Sequence, residues 1–240
     1  MSNICVWFGW INYESGYDYG TEEALSRIQS TGEAYGQYQF DYRYGLVPFM
    51  QYCSTVIPAS QSMFAPYIAL GAGNPALVNN AGLHAVFQTL AHDEHDAFLA
   101  AQNAEALKDY LFPAIDYIQN NYGYDITAKG EVVVGSLFSM AIRSGSQTAA
   151  QKYANCANMT PTEIINVTYD TYGDQDAGRW NTSAGSQRNK ALDALDSGND
   201  IFCIDRDTGY PDGKPPEPPR PDKDDDDDFY FYERSLQWLF

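Results

Sequence analysis

The chain has 240 residues, 44% of them hydrophobic, and a formal net charge of −18. That length and apolar content suffice for one sizeable core. With no cluster of Lys and Arg to displace counterions, the composition excludes a nucleic-acid partner and an anionic membrane surface.

The N-terminal stretch MSNICVWFGWINYESG has no basic n-region, no long apolar h-region and no small-residue cleavage site. It predicts a soluble chain made in the cytoplasm without a signal peptide. Residues 1–13 read as an amphipathic first helix with Trp7, Phe8, Trp10 and Ile11 on its core face, ending near Ser15-Gly16. Residues 21–29 fit a helix N-capped by Thr21 with Glu22 and Glu23 in its first turn, or equally a strand. EAYGQYQFDY at 33–42 alternates as a short strand or hairpin arm, and LVPFMQYCSTV at 46–56 returns to helical spacing.

A long helix is predicted over 82–102, with Leu83, Val86, Phe87, Leu90, Phe98 and Leu99 on one stripe. Its HDEH segment carries His92 and His95, with His84 two turns away and no third histidine at ligand spacing, so it reads as a solvated face rather than a zinc site. Residues 104–123 give the next helix, interrupted at Pro113 and closed by Gly123. GEVVVGSLFSMAIRSG at 130–145 reads as a central buried helix that neighbours approach closely, or as a β-prone buried strand. Its Ser136 and Ser139 lack the Gly-x-Ser-x-Gly elbow of a serine hydrolase. Thr160 before Pro161 starts a helix over 160–173, and 185–196 is a last short one.

Beyond residue 208 the composition changes. Residues 209–228 read as a Pro-rich, acidic linker, and the Asp224–Asp228 run lacks the alternation and glycine turn of a calcium loop. Residues 229–240, FYFYERSLQWLF, read as an aromatic docking peptide for this domain or for a partner. Cys5, Cys53, Cys156 and Cys203 are widely spaced with no CxxC pair, which argues against zinc and predicts reduced, buried thiols, with a disulfide open after release from the cell. No cofactor or metal is expected.

The stretch INYESGYDYG at 11–20 puts Glu14 at the end of an apolar segment, beside a break and close to Trp10, Tyr13 and Tyr17. Such surroundings raise a carboxyl pKa by excluding water, which suits a proton donor at a glycosidic oxygen. Glu33 and Asp41, flanking the Tyr/Gln strand, are candidates for a second carboxylate, and Asp18 is a third. The bland alternative makes Glu14 an exposed helix-end residue and Gln37 and Gln39 an exposed strand face. The 15% aromatic content, with 19 Tyr, adds weak support, because a tyrosine ring stacks on sugars while its hydroxyl bonds them.

ESG at 14–16 and YGQYQFD at 35–41 resemble the lysozyme superfamily, which includes goose-type lysozymes, lytic transglycosylases, chitosanases and phage cell-wall glycosidase domains. FQTLAHDEHDAFLAAQ, GSLFSMAIRSG and GRWNTSAGSQRNKALDAL resemble the packed helices and closing segment of the phage members. The resemblance covers roughly 1–208 and implies a mainly α, lysozyme-like α+β domain whose small β-hairpin lines a saccharide cleft. It further implies Glu14 as catalytic acid, and Tyr35, Gln37, Tyr38 and Gln39, with Asp41 beside them, lining the groove. The partner implied is peptidoglycan, cleaved at its β-1,4 bonds, with hydrolase and transglycosylase outcomes both open. A non-catalytic virion or wall-binding protein on the same fold and a chitosanase-like enzyme are the alternatives. Residues 211–240 carry nine acids and four bases, leaving −13 on the rest. Free diffusion onto a polyanionic wall would then be disfavoured, which favours virion attachment, with 229–240 as the link to a phage structural protein, over a released endolysin.

Overall fold

The computed structural model describes residues 3–175 and 181–211. The predicted linker and docking peptide therefore lie almost wholly outside the described residues. The chain runs β1 (Asn3–Trp7), α1 (Ile11–Ser15), α2 (Glu22–Leu25), β2 (Ala34–Tyr35), β3 (Phe40–Asp41), α3 (Leu46–Val56), α4 (Pro58–Ile68), α5 (Ala81–Asp93), α6 (His95–Ala106), α7 (Phe112–Tyr122), α8 (Glu131–Ser144), α9 (Ser146–Gln151), α10 (Pro161–Gln175), α11 (Asn181–Ser197) and β4 (Ile201–Asp205). It is mainly helical, as expected, with two small antiparallel sheets.

The N-terminus is the first correction. Residues 3–7 form a strand, not the start of a helix, and α1 is only Ile11–Ser15. β1 pairs with β4 in the register Asn3↔Asp205, Cys5↔Cys203, Trp7↔Ile201. The β-branched and aromatic residues Ile4, Val6 and Trp7 are buried, which a pleated ribbon over a helix layer favours. Cys5 and Cys203 are disulfide-bonded, against the expectation of reduced thiols, whereas Cys53 and Cys156 are free and buried.

α8 is the central helix and packs against β1. All residues from Val132 to Ala141 are buried. Gly135 allows the contact, because a Cβ there would run into the backbone carbonyl of Trp7. Around α8, a cluster of rings links Trp10, Tyr38 and Phe138 to Phe40, Phe49, Phe87 and Phe98.

Local chemistry sets the helix ends. Thr21 caps α2, accepting from Ala24 N, so 21–29 is helical only over Glu22–Leu25, and Ile28 pairs with Tyr35 in an isolated antiparallel bridge. Thr160 and Glu163 form a reciprocal capping box at α10: Glu163 Oε2 accepts from Thr160 N at 2.8 Å and Thr160 Oγ1 accepts from Glu163 N at 3.3 Å. The predicted helix 82–102 is two helices, broken at Glu94, whose backbone leaves the helical region. Upstream of Pro113 the chain makes a π-helical turn over Leu107–Leu111. Proline has no N–H to give the carbonyl of Asp109, and Ser146 Oγ donates to the carbonyls of Asp109 and Tyr110 instead, at 3.3 and 2.8 Å.

Candidate active site

Glu14 lies in the last turn of α1, before Gly16, whose φ of 82° closes the helix. Ser15 reinforces the turn by donating to the carbonyl of Ile11 at 3.1 Å. The side chain of Glu14 does not face solvent, as the bland reading would have it. It is 9% exposed and accepts a hydrogen bond from Arg143 Nε near the end of α8. Burial pushes the Glu14 carboxyl up, and the Arg143 charge and hydrogen bond only partly oppose this. The direction is upward because removing a carboxylate from water costs more than one guanidinium returns. α1 and α8 thus hold the Glu14 carboxyl against Arg143 in a buried, fixed geometry.

Sequence reasoning missed Arg143. The signal was present: it is the one full charge between Glu131 and Ser144 in an otherwise apolar and small-residue helix. A charge in such a helix is expected to have a partner.

The hairpin forms at the predicted place, with Ala34↔Asp41 and Tyr35↔Phe40 paired around residues 36–39. Its side chains go elsewhere than expected. Tyr35, Gln37 and Tyr38 have no exposed surface, so they are core residues and not the lining of an open groove. Gly36 brings the loop onto α6, with φ 76° and the Gln102 side chain where a Cβ would stand. Gln37 N donates to Gln102 Oε1 at 2.9 Å, and Gln37 Oε1 accepts from Gly20 N at 3.1 Å. Tyr38 Oη donates to Asn103 Oδ1 at 2.7 Å, and Tyr35 Oη to the carbonyl of Leu77 at 2.6 Å. Gln37, Tyr38, Gln102 and Asn103 are thus a buried polar network that locks the hairpin to α6, where each polar group finds a partner.

The remaining predicted residues lie nearer the surface. Gln39 is half-buried with φ 54° and donates back to the carbonyl of Gly36 at 2.7 Å. Glu33 Oε2 accepts from Thr31 Oγ1 at 3.2 Å. Asp41 takes a bidentate pair from Arg43 at 2.9 and 2.6 Å. Burial pushes Asp41 up, but the hydrogen bonds and charge of Arg43 outweigh it and hold the carboxyl below its usual range. The structure does not place Glu33 or Asp41 against Glu14. His95, from the HDEH segment, makes a structural contact between its Nε2 and the carbonyl of Gly20 at 2.8 Å. Among the described residues, no group of three or more His, Cys, Asp or Glu could hold a metal ion.

Two surface depressions include residues from the stretch 12–18 in their lining. One, of about 230 Å³, is lined by Tyr17, Glu23, Ser26, Arg27, His84 and Gln88, with the Arg27 guanidinium over the Tyr17 ring at 5.9 Å. The other, of about 140 Å³, contains Asn12 and the third carboxylate candidate, Asp18. No described helix is long and apolar enough to cross a membrane. Compared with known proteins, the chain matches no family model, and no curated protein or solved structure matches it significantly.

Proposed function

We propose that the chain is a lysozyme-type glycosidase that cleaves β-1,4 bonds of peptidoglycan glycan strands, with Glu14 as general acid. The observation that carries this reading is the burial-raised carboxyl of Glu14 at the end of α1, fixed by Arg143. A neutral Glu14 would give its proton to the leaving glycosidic oxygen. The carboxylate left behind would be stabilised by the Arg143 guanidinium already beside it. Asp41 is a poor base while Arg43 neutralises it, so Glu33 or Asp18 would activate water, or the sugar's own hydroxyl would attack and leave an anhydro end. The depression at Tyr17, three residues past Glu14, would be one end of the groove. Delivery to the wall on a virion fits the charge of −18.

A specific observation favours a second reading. Glu14 is nearly enclosed, and Tyr35, Gln37 and Tyr38 are fully so. A virion structural or wall-binding protein on this fold would use Glu14–Arg143 only as a fastener. Digestion of purified peptidoglycan by wild type and Glu14→Gln, with products read by mass spectrometry and folding checked by thermal melting, separates the two. Products from wild type alone, with Glu14→Gln folded, support the glycosidase; anhydro ends mark a transglycosylase. No products from either protein would leave the structural reading.

A further inference from the structure

The smaller depression has the makings of a ligand site separate from Glu14. It is lined by Phe8 and Gly9 between β1 and α1, Asn12 of α1, Asp18 and Tyr19 after α1, Lys190 of α11, Asp200 just before β4 and Phe202 of β4. One wall is aromatic. Phe8 and Tyr19 stack at 4.2 Å, and Phe202, 39% exposed, leans on Tyr19 at 4.7 Å. The Tyr19 ring cannot swing away, because Asn103 Nδ2 donates to its hydroxyl at 2.9 Å. The rest of the lining is polar and mixed in sign. Lys190 Nζ pairs with Asp200 Oδ2 at 3.4 Å, and Asn12 Nδ2 donates to Asp18 Oδ1 at 3.4 Å.

The backbone holds Asp200 over the depression. Asp200 has φ 60°, in the left-handed region that non-glycine residues seldom occupy, and its carbonyl accepts from Phe8 N at 2.8 Å. Behind Gly9, the Trp7 indole Nε1–H is fully buried and has no acceptor among the described residues. It lies 2.5 Å from the point where a Cβ on Gly9 would stand, and Asp200 Oδ2 lies 2.8 Å from the same point. A buried donor without a partner is costly, and here it sits under a glycine that lines the depression.

We infer that this depression binds one neutral pyranose ring. An exposed aromatic ring beside both donors and acceptors matches a sugar ring, which has an apolar C–H face and hydroxyls at its rim. A hydroxyl both donates and accepts, so one could receive the Trp7 N–H and give to Asp200. An anionic ligand would meet two carboxylates and one ammonium. The site is independent of whether Glu14 is catalytic.

The test is titration of the full chain with N,N′-diacetylchitobiose, followed by tryptophan fluorescence and calorimetry. Phe202→Ala, checked as folded by thermal melting, removes the exposed aromatic that packs on Tyr19 and Phe8 and should weaken binding roughly three- to tenfold, the loss of one aromatic contact. Tyr44→Ala, which removes a ring 72% exposed but outside the depression, should bind as wild type does. No binding by wild type, binding unchanged in Phe202→Ala, or equal losses in Phe202→Ala and Tyr44→Ala would each overturn the assignment.

Discussion

Two carboxylate–arginine pairs sit on the segments that the sequence marks as a site, and they behave oppositely. Glu14–Arg143 joins residues 129 positions apart, with side chains 9% and 4% exposed. Asp41–Arg43 joins near neighbours, with side chains 27% and 48% exposed. In the first, burial wins and the carboxyl is pushed up; in the second, the arginine wins and it is held down. The chemical groups are the same, so the difference lies in solvent. Water still screens and solvates Asp41, which leaves a bidentate pair free to favour its charge. Glu14 has lost its water and gained one partner, so its neutral form gains ground.

The sharpest way to break this comparison is to take away the arginine from the buried pair. Arg143→Ala should cost roughly 3–5 kcal/mol in urea unfolding on the alkaline side of the ordinary glutamate range, where an ionised Glu14 would keep its burial and lose its partner, and less on the acid side, where Glu14 takes up a proton. A cost below about 1 kcal/mol that does not change with pH would show that Glu14 and Arg143 are not coupled as a buried pair. Next in size is the disulfide that holds β1, the strand leading into α1. It closes 198 residues, and in the chain-entropy account its loss in Cys5→Ser with Cys203→Ser should cost about 2–5 kcal/mol. Cys53 and Cys156 should stay unlabelled by thiol reagents in the native protein, since burial raises both thiols, Cys53 to about 12. An unchanged unfolding midpoint in the double variant would mean that the β1–β4 ladder needs no covalent link.

The two regions also differ in how much the sequence revealed. Elements set by local chemistry were legible: the Thr21 and Thr160 caps, the Gly123 stop, the hairpin around Gly36 and the close approach at Gly135. Elements set by distant partners were not. Val6 and Trp7 fit a helix stripe as well as a strand until Ile201–Asp205 supplies the other half of the ladder. Gln37 and Tyr38 look like a polar strand face because their partners on α6 are 65 or more residues away. Glu94 breaks α5 from α6 with no glycine or proline to announce it. Of the candidate site, Glu14 was visible as an odd carboxylate at a break, whereas Arg143 meets Glu14 only in the folded chain.

The comparison is finest in its pH dependence, where the effects are smallest and the signs differ. A glutamate whose folded pKa is raised contributes stability that is fully present below its ordinary pKa and is lost as pH rises through the raised one. Glu14 should therefore make the protein less stable on the alkaline side of the ordinary glutamate range, and Glu14→Gln should flatten that fall. An aspartate whose folded pKa is lowered contributes stability that is present above its ordinary pKa and is lost as pH falls through the lowered one. Asp41→Asn should flatten the acid side and change stability at neutral pH by about 0.2–1 kcal/mol, as expected for an exposed pair. Urea midpoints measured from pH 3 to pH 8 for wild type and both variants read the two signs directly. If both variants flattened the same side, solvent exposure would not be what separates the two pairs.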